Sequence, residues 1–484
     1  MWKSGAGQVG AARAGRNTSA APEKQHQGVQ QVTTIAPRLD MPPVNHTPRP
    51  YTGPTREAIL EMRRQYTNPA IFTTYHDPLL IVEGFMQYLY DETGRRYLDM
   101  FAGIVTVSVG HSHPEFVRRV QEQVGTLQHA TTMYLHPNFA LLAKKLASKM
   151  PPGLDVTYFV NDGTEANELA ITMARLFTGN TDIIAVRNGY HGGSPTGQGL
   201  TSHSTWKFPV SGEGHVHHAM NPHPYRSPFN GTPEEIATMS ARDIRDLIRY
   251  STPGKVAAFL AEPIQGVGGA THGAPNYLKE AYAIVREAGG LCIADEVQTG
   301  FGRTGDHYWG FQNFGVVPDF VTMAKGLGNG APIGAVTTRM DIARTLSQRI
   351  HFNTFGGNPV SMAAGLAAMD IIDEDGLQEN SRVLGARLKK GLERLQKSHE
   401  LIGDVRGMGL MLGVELVRDR GTKEPARAET VDILEATREL GVLIGKGGLD
   451  GNTLRIKPPM CITADDVDFA LEVFDQAFAK VEGK

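Results

Sequence analysis

Five short stretches carry residue types that could share one reaction, and each closely follows a short apolar run. Asn161-Asp162-Gly163-Thr164 comes after Val160 and opens a helical pattern, so free backbone N–H groups and the positive end of a helix dipole are available to a phosphate. Tyr190-His191-Gly192-Gly193, after Val186, puts an aromatic face on a glycine-rich loop. Glu262-Pro263, after Ala261, and Asp295-Glu296-Val297-Gln298, after Ala294, supply carboxylates and an amide. Ala324-Lys325-Gly326, after Met323, supplies an amine. A buried lysine among cations has a lowered pKa and can act as nucleophile and proton carrier. Taken singly, a Gly-Thr turn before a helix is a cap, and each of the other residues is a solvated loop residue. Their shared position, just past apolar runs, argues for one site.

The elements that must position them can be read from periodicity. Residues 156–160, 183–186, 256–261, 291–294 and 320–323 are strand-like apolar runs. Ala166, Leu169, Ala170, Met173, Ala174 and Phe177 recur at helical spacing before Gly179, and Leu278, Ala281, Tyr282 and Val285 do so before Gly289-Gly290. Strands alternating with helices predict an α/β fold with a mostly parallel sheet flanked by helices. Ligands bind such sheets beyond the carboxyl ends of the strands, where the five stretches fall. Earlier, 79–82 and 88–91 are β-like, and Asp91-Glu92-Thr93-Gly94 is a hairpin turn. Past residue 375 come a charged helix near 377–395, strands at 410–417 and 453–456, and a helix after Thr463 that buries Val467, Ala470, Leu471, Phe474, Ala477 and Phe478. The expected organisation is a disordered leader and proline-rich linker (1–54), an N-terminal segment joining the small domain (55–112), a large domain (113–375) and a small α+β domain (376–484).

Composition narrows the function classes. Hydrophobic residues make up 40 % and charged residues 20 % of the 484, an ordinary globular balance. The net charge, 48 − 51 = −3, argues against a protein built for nucleic acid or an anionic membrane. No stretch approaches the roughly 20 apolar residues of a membrane span. Cys292 and Cys461 lie too far apart in sequence to suggest a disulfide framework or a zinc site. Residues 1–22 hold Lys3, Arg13 and Arg16 and no acid, the pattern of an organellar transit peptide, and six prolines between Pro37 and Pro54 predict an extended linker. Two glycine-rich runs are set aside: 441–446 is one residue short of a phosphate loop, and 407–413 misses dinucleotide spacing, so both are read as turns. His215, His217, His218 and His223 sit in a Pro-rich stretch with only Glu213 as a nearby acid, and are read as a solvated loop rather than a metal site. The sequons at Asn17, Asn45 and Asn230 carry little without secretion.

The ordered set Phe259-Leu260-Ala261-Glu262-Pro263-Ile264-Gln265-Gly266, then Asp295-Glu296-Val297-Gln298-Thr299-Gly300-Phe301-Gly302-Arg303, Lys325-Gly326 and Thr354-Phe355-Gly356-Gly357-Asn358-Pro359 resembles the class III pyridoxal-phosphate aminotransferases, of fold type I, over about residues 60–480. The stretches 188–192 and 351–354 most resemble the alanine–glyoxylate branch, usually found in mitochondria. The resemblance implies pyridoxal 5'-phosphate as cofactor, Lys325 as its Schiff-base lysine and Asp295 as partner of the ring nitrogen. It places Gly163 and Thr164 on the phosphate, Tyr190 on the ring face, Gln298 on the ring hydroxyl and Glu262 near a substrate charge. Arg455, in Leu454-Arg455-Ile456-Lys457-Pro458-Pro459, is the expected fork for a substrate carboxylate. Thr354 is implied to reach the phosphate of a neighbouring subunit, making the unit a homodimer or larger. Asp162 stands where many relatives have Ser, and its side chain is expected to point away from the phosphate. Three alternatives stay open: a lyase on a phosphorylated amine, an aminotransferase for an omega-amino acid of the beta-alanine, 4-aminobutyrate or ornithine type, and a silent relative kept for binding.

Overall fold

Ile183–Val186, Ala258–Ala261 and Leu291–Asp295 are buried along their whole length, as strands covered on both faces must be. In the computed structural model, residues 40–209 and 214–484 are described, and they belong to one unit, Leu39–Lys484. The acid-free leader and Glu213 lie outside the described residues. In chain order the strands are β1 (Ile81–Phe85), β2 (Tyr88–Asp91), β3 (Arg96–Asp99), β4 (Val156–Val160), β5 (Ile183–Val186), β6 (Val216–Ala219), β7 (Ala258–Ala261) and β8 (Leu291–Asp295). They continue with β9 (Phe320–Met323), β10 (Gly334–Thr338), β11 (Ile402–Met408), β12 (Met411–Asp419), β13 (Glu424–Pro425), β14 (Val442–Leu443), β15 (Gly445–Gly447) and β16 (Thr453–Ile456).

The central sheet has seven strands in the order β4-β10-β9-β8-β7-β5-β6. All its neighbours from β9 to β6 pair in parallel, and only β10 runs against both β9 and β4. The carboxyl ends of β4, β5, β7, β8 and β9 therefore open onto one rim. Helix Gly163–Thr178 begins at that rim: the Asp162 side chain accepts from Glu165 N at 2.9 Å, and Gly179, at φ +70°, ends the helix in the left-handed region. Its buried residues include Ala166, Leu169, Ala170, Met173 and Ala174 at the expected spacing, together with Asn167 and Ile171, whereas Phe177, expected on the same stripe, is exposed.

Several segments depart from the sequence reading. The run 441–446, read as a turn, holds β14 and the start of β15, and β3, β11 and β13 were not named as strands. Two further departures fall in the central sheet. β10 has no counterpart in the sequence reading: Gly334 and two threonines dilute its apolar signal, although every residue is buried. His217 and His218 of the His-rich stretch are not in a solvated loop, although His215, just before them, is exposed as expected. Val216–Ala219 adds to the sheet edge beside β5, with His217 Nε2 2.8 Å from Asp182 Oδ1 and His218 Nε2 donating to Gly199 O at 3.0 Å. Backbone pairing and two acceptors, Asp182 and Gly199 O, supply what solvent was expected to supply. The described part of the proline-rich stretch has no regular secondary structure and lies on the body: His46 stacks on Phe85, and Arg96 donates to Pro42 O at 2.7 Å.

β1–β3 form an antiparallel meander closed at Asp91–Gly94, where Gly94 N donates to Asp91 O, and β14 adds in parallel to β3. The N-terminal segment thus shares a sheet with the C-terminal part. β11, β12, β16 and β15 form a second, antiparallel sheet, with β13 paired to β12. Within the run 407–413, Gly409 and Leu410 make the β11–β12 hairpin turn and the remaining residues are paired strand. Helix Ala464–Glu482 is capped by Thr463 and tied back to the first meander through buried Asp466, which accepts from Gln87 Nε2 at 2.6 Å, from Thr463 Oγ1 at 2.6 Å and from Tyr88 Oη. One apolar core runs through both regions, from Tyr88 and Leu98 to Phe474 and Phe478. Asp466→Ala would leave Gln87 and Tyr88 buried without an acceptor, so it is expected to lower stability by about 2–4 kcal/mol in urea unfolding of the apoprotein. A loss below ~0.5 kcal/mol would show that this tie is not holding the ends together.

Candidate active site

A cavity of about 370 Å³ opens at the rim. It is lined by seven of the nine residues picked out from the sequence: Gly163, Thr164, Tyr190, Glu262, Asp295, Gln298 and Lys325. On one side Gly163 and Thr164 begin a 16-residue helix, whose first N–H groups have no helical partner. Gly192 approaches from across at φ +128°, and a Cβ there would come 2.6 Å from Thr164 Cγ2, filling the space a phosphate needs. Asp162 is exposed and spends its carboxylate on the helix cap, although it borders the cavity.

Asp295, the last residue of β8, is 3 % exposed. Its Oδ2 accepts from His191 Nδ1 at 2.8 Å and Asn167 Nδ2 at 2.9 Å, and its Oδ1 from Val297 N at 3.1 Å. Asn167 is fixed in turn by Thr322 Oγ1, which donates to its Oδ1 at 2.7 Å. Oδ1 keeps a lone pair for one more donor, which a protonated pyridine nitrogen fits. His191 and Asn167 were not singled out as site residues. The loop Tyr190-His191-Gly192 was noticed for its aromatic, and Asn167 only gains meaning once its helix is laid beside β8.

Lys325 takes the left-handed backbone region at φ +41°, which non-glycine residues rarely adopt. Burial lowers its amine from the ordinary lysine value; Arg455 adds to that, while Asp295 and Glu262 oppose it. Glu262 is clasped by backbone: its Oε1 accepts from Tyr190 N at 3.2 Å and its Oε2 from Gly266 N at 2.7 Å, and burial raises its carboxyl. Tyr190 leans edge-on against Trp206, with centroids 5.1 Å apart.

Arg455 on β16 reaches the same rim from the second sheet. Its Nη2 donates to Gln298 Oε1 at 3.4 Å, its guanidinium lies 5.1 Å from the Phe101 ring centroid, and its Nε has no partner among the described residues. Burial pushes it down to about 10, with Glu262 opposing. Phe101 is presented by a turn in which Ala102 to Val105 all have positive φ, at roughly 1–2 kcal/mol per non-glycine residue. Thr354 does not line the cavity and is exposed.

Lysine, buried carboxylate, helix-start cradle and a guanidinium from a second sheet, set on this seven-stranded scaffold, define a pyridoxal-phosphate enzyme of fold type I. The family model for class III aminotransferases matches residues 72–478, and the chain belongs to that family. It is similar to the mitochondrial alanine–glyoxylate aminotransferase 2 homolog 2 of Arabidopsis thaliana, 54 % identical over 441 residues and covering 91 % of each chain. It is also similar to the mitochondrial alanine–glyoxylate aminotransferase 2 of Homo sapiens, 43 % identical over 460 residues, covering 91 % of this chain and 90 % of the human one. Among solved structures, a phospholyase from Arthrobacter in complex with phosphoethanolamine matches with TM-score 0.81 and 34 % identity, over 87 % of this chain and 99 % of that one. The protein is a pyridoxal-phosphate-dependent transaminase.

The carboxylate at position 295 can be tested directly. Asp295→Asn keeps the shape but offers no charge to a ring nitrogen. Single-turnover consumption of the amino donor is expected to slow by about 100-fold or more, ~2.7 kcal/mol in the barrier. An unchanged rate would count against this role for Asp295.

Proposed function

We propose that this transaminase moves an amino group from alanine or a related amine to glyoxylate or another small 2-oxo acid, working as a homodimer in mitochondria. The observation that carries the reading is the convergence of Lys325, Asp295 and Arg455 on one rim from two different sheets. Pyridoxal phosphate, when bound, supplies the electron sink for breaking a bond at the substrate's amino carbon. The chain's own residues do the rest. Gly163 and Thr164 hold the phosphate with N–H and hydroxyl donors, Tyr190 bounds the ring face, and Gln298 donates to the ring oxygen. Asp295 keeps a proton on the ring nitrogen. Lys325, its amine lowered by burial, would be the residue that holds the cofactor's aldehyde and would carry the proton at the substrate carbon. Arg455 forks onto the substrate carboxylate, for which its unpartnered Nε and long bond to Gln298 leave it free. Glu262 sets the charge nearby for the second substrate.

The domain reading follows: residues 113–375 hold the cofactor, while 376–484, with 55–112, carry Arg455 and draw inward when a carboxylate binds. A substrate bridging the two must exclude water as it binds. The Arabidopsis and human relatives named mitochondrial, and the basic, acid-free leader, support that compartment. A fluorescent protein fused to residues 1–54 tests it: mitochondrial import supports the reading, and a diffuse signal opposes it.

A donor and acceptor panel tests the substrate reading. Alanine with glyoxylate should turn over, and phosphoethanolamine should release no phosphate. The opposite pattern would favour the lyase, and turnover of 4-aminobutyrate or ornithine without alanine would favour the omega-amino reading. In the same panel Arg455→Lys keeps the charge and loses the fork. It is expected to weaken carboxylate donors by about 1–3 kcal/mol and leave an amine without a carboxylate nearly unaffected. Equal losses for both would remove Arg455 from the carboxylate.

Exposed apolar residues near Thr354 in sequence, and a second exposed group at 133–135, support the dimer reading. Leu135, Ile350 and Phe355 are 105 %, 98 % and 63 % exposed, with Met133 and Tyr134 beside the first. A second copy would cover them and bring Thr354 to its partner's phosphate. Mixing Thr354→Ala with Lys325→Ala subunits then yields heterodimers with one intact site and one doubly damaged site. Activity above both parents is expected; none, with heterodimers shown to be present, would mean that Thr354 acts within its own chain.

A further inference from the structure

Lys457 is wholly buried, one residue past β16 and two past Arg455. A buried lysine is costly unless its N–H groups are used, and a methionine would fill the same space. Among the described residues it makes no ion pair. Its Nζ donates to Gly266 O at 3.1 Å and to Gln298 Oε1 at 3.2 Å. Burial lowers its amine well below the ordinary value, with Arg455, Lys325 and Arg303 adding to the effect and Glu262 opposing it. Charged or neutral, the amine has at least two N–H groups, so both bonds persist in either form.

The chemistry lies in which end of the Gln298 amide these donors select. Lys457 Nζ and Arg455 Nη2 converge on Oε1. An amide turned the other way would set its N–H groups against two donors. Nε2 is therefore directed elsewhere. It has no partner among the described residues, and Gln298 lines the cofactor cavity. Gly266 makes the arrangement tight: a Cβ there would lie 2.1 Å from Gln298 Oε1. The two donors are not equivalent. Arg455 holds the amide at 3.4 Å and, on the proposed reading, turns to a substrate carboxylate, whereas Lys457 holds it at 3.2 Å and is anchored on Gly266 O as well. We propose that Lys457 is a positioning residue that locks the Gln298 amide with its N–H toward the cofactor ring oxygen, and keeps it there after Arg455 has left for the substrate. This rests on the reading of Gln298 as the donor to that oxygen.

The test is a double-mutant cycle on cofactor binding, read as the dissociation constant of pyridoxal phosphate from the apoprotein and as the position of the bound cofactor's visible absorbance band. Apoprotein melting temperatures serve as the control for folding. Lys457→Met and Gln298→Ala should each raise the constant about tenfold, the worth of one hydrogen bond, and move the band in the same direction. The double variant should also lose about tenfold, because Lys457 acts through Gln298. Lys457→Gln, which keeps an N–H donor, should stay within about threefold of the parent. A double variant about a hundredfold weaker, or a Lys457→Met protein with parental constant and band, overturns the proposal. Should Lys457→Met not fold, a tenfold loss in Lys457→Gln overturns it as well. A Gln298→Ala protein with parental constant and band would instead remove the Gln298 reading itself.

Discussion

The site depends on one buried carboxylate. Asp295 sits at the end of β8, in the middle of the seven-stranded sheet, where water cannot offset its charge. Three donors do so instead, and they come from separate parts of the fold. His191 lies on the loop after β5, Asn167 on the helix after β4, and Val297 just past Asp295 itself. Thr322, on neighbouring β9, holds Asn167 in place. One carboxylate therefore fixes the register of consecutive βα units relative to each other, and the direction of its free lone pair is fixed with them. On the proposed reading a ring nitrogen would meet that lone pair, with Lys325 and the Gly163-Thr164 cradle lining the same cavity.

Around that anchor the charges are unequal. Lys325, Arg455, Lys457 and Arg303 are all buried cations pushed down by burial, and Arg303 reaches about 10. Asp295, Glu262 and, at the edge, Asp162 answer them among the described residues of the cavity, and Glu262 is itself raised and clasped by backbone. A pocket with this excess attracts anions: the phosphate of a cofactor at one end, a carboxylate at the other. Burial inclines Lys325 to lose its proton, with Arg455 adding to it against Asp295 and Glu262, which suits a residue proposed to carry a proton in both directions.

Much of this is legible in the residues. Strands 156–160, 183–186 and 320–323, the helix stopped by Gly179 and the cap at Thr463 were all predictable, because apolar periodicity and capping are local signals. Seven site residues could be assembled from strand ends alone. β10 was not visible, because a strand buried by its neighbours does not need an apolar sequence of its own. The histidines of β6 read as solvated because their acceptors, Asp182 and Gly199, are distant in sequence. His191 and Asn167 were missed for the same reason: their role is a contact with Asp295, more than a hundred residues away. The backbone clasp on Glu262 is likewise a property of two loops meeting.

The central claim is that Asp295, oriented by His191 and Asn167, holds a proton on the cofactor's ring nitrogen. Reconstituting the apoprotein with pyridoxal phosphate labelled with nitrogen-15 in the ring, and recording its chemical shift across the working pH range, measures that proton directly. The account predicts the shift of a protonated pyridine throughout, moving to the unprotonated value in the Asp295→Asn protein. An unprotonated shift in the parent protein would contradict it.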